Sequence, residues 1–196
     1  RTAHARRSGS RHANGSDMTG TLPPRGRDPQ EILAELAQMG RDDPDYRHGR
    51  LWSLVYYLDE PYHAFQGQAY QQFASANGLN PTAFKSLKRF ENDIIASTAE
   101  LHHGTPGVCG VVTSGGTESC LLAVKTYRDM ARATRRVRKP EMVLPRSAHV
   151  AWIKASDYFG VRIRWLALDD RQRADVSRLN TLINRNTVMV LASAPE

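Results

Sequence analysis

Residues 110–119 read Gly-Val-Val-Thr-Ser-Gly-Gly-Thr-Glu-Ser, and residues 120–128 continue as Cys-Leu-Leu-Ala-Val-Lys-Thr-Tyr-Arg. This pattern predicts an apolar strand over 110–113, a glycine-rich turn, and a helix that begins near Thr117. A helix N-terminus presents unpaired N–H groups and the positive end of its dipole, and glycines let the backbone approach a ligand closely. The stretch therefore predicts a phosphate-binding turn.

Two other phosphate or nucleophile motifs do not fit this turn. A nucleotide P-loop requires a lysine directly after its glycines, and none follows Gly116. A nucleophile elbow requires glycine two residues before and after the serine, whereas Val112 stands two residues before Ser114. A tight strand-to-helix turn without a ligand stays open as the structural alternative at this point.

The second half of the chain alternates between strand and helix patterns. Strands are predicted over 141–144, over 161–168, where apolar residues alternate with Arg162 and Arg164 to give one wetter face, and over 188–192, a continuous apolar run typical of a buried parallel strand. Helical spacing predicts helices over 147–159 and 176–184. Such alternation predicts an α/β fold, a doubly wound layer with a mostly parallel sheet and helices on both faces.

The first half contains helix and loop patterns only. Asp28 and Pro29 mark a helix start and Gly40 its end, while Pro61 precedes a second helical stripe. A third helix is predicted to face inward with Phe84, Leu87, Ile94, Thr98 and Leu101. The sequence thus predicts a disordered basic head over 1–20, a helical segment over 21–104 and the α/β part over 105–196.

The composition excludes several classes of protein. The formal charge of +7 arises largely from arginines in the head and from a second basic cluster over 132–139. No aromatic residues interleave with these clusters, which argues against nucleic-acid binding. No apolar run is long enough for a membrane span, and Cys109 and Cys120 fit no metal or redox spacing. We therefore expect a cytoplasmic protein with reduced thiols and no metal.

Several motifs together resemble one enzyme superfamily. Residues 113–119, residues 140–149 and the pair Lys154-Ala155 are similar to the pyridoxal-phosphate decarboxylase superfamily of fold type I, with the strongest likeness to the sphingosine-1-phosphate lyases. The likeness extends back through residues 47–50, 55–56, 77 and 84–91. It implies the first part of the large domain of fold type I, preceded by a helical segment, in a protein that forms a homodimer.

The resemblance also implies a cofactor site for pyridoxal 5′-phosphate. Gly116 and Thr117 match contacts to the 5′-phosphate, and Ser114 and Gly115 belong to the same cradle. His149 matches the histidine that stacks on the pyridine ring. The structural alternative is a histidine that only makes hydrogen bonds at the end of a strand. The match of the neighbouring residues to the family disfavours this alternative.

Three further residues match positions on the substrate side. Tyr56 matches a tyrosine near the substrate phosphate and the reacting centre, where it would donate a hydrogen bond or carry a proton. The alternative that Tyr56 only packs in an apolar patch stays open. Asn77 matches a substrate-side asparagine. Asn80 stands where the animal lyases carry histidine, which leaves the identity of the small-molecule substrate open.

The implied activity is carbon–carbon cleavage of a phosphorylated sphingoid base to an aldehyde and phosphoethanolamine. An amino-acid decarboxylase and a truncated, non-catalytic remnant are the alternatives. None of the five lysines matches the Schiff-base lysine of the family, and no aspartate matches the one that protonates the pyridine nitrogen. We therefore expect a truncated chain that is inactive alone.

Overall fold

The computed structural model describes residues 25–193 except 52, 54 and 81. The predicted basic head over 1–20 lies outside the described residues. Contacts within the chain form two compact units, of which the first ends at Ser75 and the second begins at Ala76. The domain boundary expected after residue 104 stays a prediction.

The first unit contains two helices, and the first begins at Pro29 as the sequence predicts, whereas the second begins one residue before Pro61. Helix α1 spans Pro29–Met39, and the Asp28 carboxylate accepts hydrogen bonds from the N–H groups of its first turn. Helix α2 spans Glu60–Gln72 and is capped in the same way by Asp59. Short 3₁₀ turns occupy Gly40–Asp42 and Tyr46–His48. Neither helix contains a buried residue, so their apolar stripes face solvent.

The second unit contains the sheet. Its strands are β1 (Glu141–Pro145), β2 (Arg162–Leu166) and β3 (Thr187–Val190), and its helices are α3 (Lys85–Leu101), α4 (Gly116–Arg135), α5 (Val150–Phe159) and α6 (Leu179–Leu182). The three strands are parallel in the order β2-β1-β3, with Glu141 opposite Arg162 and Thr187. The predicted α/β class is confirmed.

Strand β1 is the centre of the core because neighbours cover both its edges. All five of its residues are buried, and Met142, Val143 and Leu144 have no exposed surface. Helices α4 and α5 pack against each other and supply Val124 and Ala155 to this core. A strand that is buried along its whole length is typical of parallel sheets with covered faces.

The connections place two helix N-termini on one edge of the sheet. A connection of only five residues joins the end of α4 to the start of β1, so α4 runs antiparallel to β1. Helix α5 follows the other end of β1 and leads back to the start of β2. The N-termini of α4 and α5 therefore both lie at the carboxyl edge of the parallel strands, where ligands of α/β proteins bind.

Two predictions about regular structure are wrong. The segment 110–113 is extended but pairs with no strand among the described residues; the N–H of Val112 instead donates to the Glu91 carboxylate of α3, at 3.1 Å. Helix α3 does not bury its predicted inward face, since Ile94 and Leu101 are 53% and 79% exposed. Both differences have one physical cause, namely that no described element packs over this side of the unit.

Other boundaries shift by a few residues. Helix α5 begins at Val150 and not at Ser147, because His149 takes the cap position with extended backbone. The helix predicted over 176–184 consists of a 3₁₀ turn, Val176–Arg178, and the four residues of α6. The strands predicted over 161–168 and 188–192 are observed as β2 and β3 with shorter bounds.

Within residues 25–193, apart from the three gaps, no helix combines the length and apolar character needed to cross a membrane. The same residues contain no group of three or more histidine, cysteine or acidic side chains arranged to hold a metal ion.

Candidate functional site

The glycine-rich turn is held in place by its own hydroxyl groups. The Thr113 hydroxyl lies 3.0 Å from the Gly115 carbonyl oxygen, to which it donates, and 2.7 Å from the Ser119 hydroxyl. The N–H of Ser119 donates to the Gly115 carbonyl oxygen at 3.2 Å, which is the first hydrogen bond of α4. The turn thus has one defined shape at the start of the helix.

Glu118 fixes the other side of the turn. Its carboxylate accepts hydrogen bonds from both the N–H and the hydroxyl of Ser114, each at 2.7 Å. The hydroxyl bond and then the backbone bond lower the pKa of Glu118 below its ordinary value. The ionised group also interacts favourably with the positive end of the α4 dipole. Ser114 therefore supports the turn, and its two donors are already used.

The donors that remain point out of the helix. Gly115 is the N-cap of α4 and supplies no side chain, so the N–H groups of Gly116, Thr117 and Glu118 have no partner within the helix. A Cβ atom built on Gly115 or Gly116 would meet no protein atom within 4 Å. The space in front of these N–H groups is open, and the protein's own packing does not require glycine at either position.

His149 lies at the N-terminus of α5 with a fixed ring orientation. Its Nδ1 accepts a hydrogen bond from the N–H of Ala151 at 3.1 Å. An Nδ1 atom that accepts carries no proton, so the hydrogen of the neutral ring is on Nε2. The side chain is exposed, and it follows directly on the carboxyl end of the central strand. One face of a planar ring is thus available at the edge where α4 begins.

The sheet order explains why these features share a location. From β1 the chain moves to β2 on one side, and from β2 it crosses to β3 on the other side of β1. Such a reversal creates a crevice outside the carboxyl ends of the strands. The structure therefore brings the turn at Gly115 and Gly116 and the ring of His149 to the same edge of one unit.

The predicted substrate residues have different surroundings. Tyr56 is fully exposed and belongs to the first unit, in an extended stretch before α2. The side-chain oxygen of Asn77 accepts a hydrogen bond from the N–H of Leu79 at 3.2 Å. The Asn80 oxygen accepts from the N–H and the hydroxyl of Thr82, at 3.1 and 2.6 Å. Both asparagines therefore stabilise local turns, and their contacts to a substrate stay a prediction.

An apolar groove of about 520 Å³ leads to the glycine turn. Helix α3 forms one wall with Ile94, Ile95 and Thr98, and the extended segment 108–113 forms the other. The lining of the groove includes Gly115 and Gly116.

Sequence reasoning missed the two glutamates that organise this region. An acidic residue in the first turn of a helix interacts favourably with the helix dipole. The position of Glu118 in the first turn of α4 could therefore have indicated its stabilising role. Glu91 is 21 residues from its partner Val112, so no local pattern indicates that contact.

Comparison with known proteins identifies the family. A model of the aminotransferase class-V family matches residues 90–196. Mouse sphingosine-1-phosphate lyase 1 is 38% identical over 180 residues, which are 92% of this chain and 32% of the mouse protein. A Methanocella arvoryzae protein described as a probable L-tyrosine/L-aspartate decarboxylase is 35% identical over 87% of this chain and 43% of its own length.

The structural comparison agrees with these relatives. The sphingosine-1-phosphate lyase of Burkholderia pseudomallei superimposes with a TM-score of 0.80 and 34% identity, over 87% of this chain and 41% of that protein. The chain spans about a third of the length of the curated lyases that it matches. On the matched residues, the chain belongs to the aminotransferase class-V family.

Proposed function

We propose that this chain forms the cofactor-phosphate and ring-stacking part of a pyridoxal-phosphate-dependent carbon–carbon lyase that acts on a phosphorylated long-chain amino alcohol. The observation that carries the proposal is that the Ser-Gly-Gly-Thr turn and His149 lie at the same carboxyl edge of the sheet. The mouse and Burkholderia relatives support the lyase assignment by their identity across most of this chain.

The residues present fit the phosphate of this cofactor. A phosphate dianion needs several N–H donors and a positive potential, and the first turn of α4 offers both. The open space in front of Gly115 and Gly116 is where a Cβ atom would otherwise project. Thr117 adds a hydroxyl from the same turn. Gly116 and Thr117 would therefore hold the phosphate. Gly115 leaves space for it, and the hydrogen bonds between Ser114 and Glu118 hold the turn in position.

His149 would hold the ring of the cofactor. When bound, the pyridine ring withdraws electrons from the substrate bond that breaks. The hydrogen bond from Ala151 keeps the imidazole in one orientation, so its face can stack on the ring without reorganisation.

The substrate side of the proposal rests on Tyr56. A phenol near the substrate phosphate would donate a charge-assisted hydrogen bond, which is worth about 1.5–3 kcal/mol. Full exposure of the Tyr56 side chain leaves its hydroxyl accessible to such an anion. The side-chain oxygens of Asn77 and Asn80 accept the hydrogen bonds of their local turns, and their amide N–H groups are the donors they would offer to a substrate.

An amino-acid decarboxylase is the second candidate, and the Methanocella relative favours it. The experiment compares two products, released aldehyde and released carbon dioxide, in the protein expressed from its complete reading frame. The lyase proposal expects aldehyde from a phosphorylated amino alcohol, and a roughly tenfold or larger loss in Tyr56→Phe. His149→Ala should reduce turnover of every substrate.

Carbon dioxide from an amino acid without aldehyde would reject the lyase and support the decarboxylase. Tyr70→Phe is the matched control, because Tyr70 is 81% exposed on α2 of the same unit. Aldehyde release that is equally unaffected in Tyr56→Phe and Tyr70→Phe would reject the role given to Tyr56.

A further inference from the structure

The second basic cluster forms a groove at the edge of the sheet opposite to His149. Helix α4 ends at Arg135, and strands β1 and β3 begin nearby at Glu141 and Thr187. The groove has a volume of about 460 Å³, and its lining consists of Val137 and the polar residues Arg135, Arg136, Arg138, Lys139, Arg185 and Asn186. Two segments that are far apart in sequence thus converge on one concave surface with five cationic side chains.

Most of these cations have no acidic partner. Among the described residues, Arg136, Arg138, Lys139 and Arg185 form no salt bridge, while the Arg135 guanidinium donates to the Thr187 carbonyl oxygen at 3.1 Å. Glu141, the first residue of β1, is an acidic group on this edge, and it is buried. Its carboxylate already contacts Arg162, Arg164 and Asn184. Like charges that are gathered without counter-charges repel one another, and an anion relieves this repulsion.

The helix dipole does not account for the whole cluster. Cations in the last turn of α4 interact favourably with its negative end, and this explains Arg132 and Arg135. Arg136 lies beyond that turn with a left-handed backbone, φ 55°, where glycine is the favoured residue. Arg138, Lys139 and Arg185 lie outside any helix. A strained arginine and three exposed cations around one groove indicate a binding surface.

We propose that this groove binds a multiply charged phosphate group. Guanidinium groups form paired hydrogen bonds with phosphate oxygens, and five cations match a ligand with more than one negative charge. The lining contains no aromatic side chain, so bases of a single-stranded nucleic acid would find no stacking surface. The phosphate comes either from a free phosphate ester or from the headgroup of an anionic lipid. This proposal is independent of the lyase assignment.

The test uses the full chain and inorganic pyrophosphate, with affinity measured by titration calorimetry at near-physiological ionic strength. The double variant Arg138→Ala, Lys139→Ala should bind about tenfold more weakly than the wild type. The matched control Lys88→Ala, Arg89→Ala removes two adjacent exposed cations from α3 and should bind normally. Gly116→Ala removes any pyrophosphate bound at the glycine turn, and the binding that depends on Arg138 and Lys139 should persist in that variant. Arg138→Lys keeps the charge but not the paired guanidinium hydrogen bonds, so it should bind more weakly than the wild type and more tightly than the double variant.

A second arm identifies the source of the phosphate. Phosphatidylcholine vesicles that contain phosphatidic acid should bind the chain, and pyrophosphate should displace it, if a lipid headgroup is the ligand. Absence of vesicle binding together with tight pyrophosphate binding indicates a free phosphate ester. No saturable pyrophosphate binding, or equal affinity in the wild type and the Arg138, Lys139 double variant, would overturn the proposal.

Discussion

Replacement of Gly116 by alanine separates a structural role of the glycine turn from a ligand-binding role. Gly116 is the first residue of α4, and an added Cβ atom meets no protein atom within 4 Å. Alanine is a better helix former than glycine and restricts the unfolded chain. Gly116→Ala should therefore leave the free energy of unfolding unchanged or raise it, by at most about 1 kcal/mol.

The same substitution should weaken phosphate binding. Side chains of a helix tilt toward its N-terminus, so the new methyl group projects toward the space in front of the Gly116 and Thr117 N–H groups. Loss of one hydrogen bond to a charged oxygen costs about 1.5–3 kcal/mol, which corresponds to a loss of affinity of roughly ten- to hundredfold.

The assay combines urea unfolding with titration of pyridoxine 5′-phosphate, an alcohol that forms no imine with surface lysines. Gly67→Ala is the matched control, because Gly67 lies inside helix α2 and an added Cβ atom there also has open space. It should stabilise its helix without changing ligand affinity. If Gly116→Ala lowers stability by more than about 1 kcal/mol, or leaves affinity intact, the phosphate-seat reasoning is refuted.

Three further predictions concern charged residues. The buried Glu141 carboxylate has a lowered pKa, mainly because it accepts a hydrogen bond from Asn184. The ionised carboxylate therefore stabilises the folded protein above its ordinary pKa of 4.5, and this stabilisation is lost as pH falls through the folded-state pKa. Glu141→Gln should cost about 1 kcal/mol at neutral pH and flatten acid unfolding, and an unchanged acid transition would contradict this role. Glu118→Gln should likewise reduce the loss of stability below about pH 4.5, as measured by thermal unfolding across pH, since the Ser114 hydrogen bonds lower its pKa. Arg136→Gly should raise the free energy of unfolding by about 1 kcal/mol by relieving the left-handed backbone, and a decrease would show that the arginine is favourable there.

Local signals predicted the parts of the fold that depend on neighbouring residues. Asp28 before Pro29, and the glycine pair before Thr117, mark helix starts that the structure confirms to within one residue. The apolar run 188–192 predicted a buried parallel strand. Strand β3 is parallel, but it lies at the edge of the described sheet, and only Val188 of its four residues is buried.

The remaining features depend on contacts between distant segments. Val111 and Val112 have strand-forming side chains, but a strand also needs a hydrogen-bonding neighbour, and the described residues supply only the Glu91 carboxylate to this backbone. The convergence of Arg185 with residues 135–139 depends on the order of the strands, which spacing along the chain does not encode.

The measurement that tests the central claim most directly is the difference in affinity between pyridoxine 5′-phosphate and pyridoxine for the wild-type chain. The phosphate seat at the α4 N-terminus predicts that the phosphorylated compound binds at least about tenfold more tightly. His149→Ala should weaken both compounds by the same factor, because the ring is common to both. Equal affinities of the wild-type chain for the two compounds would contradict the assignment of the glycine turn as the seat of the cofactor phosphate.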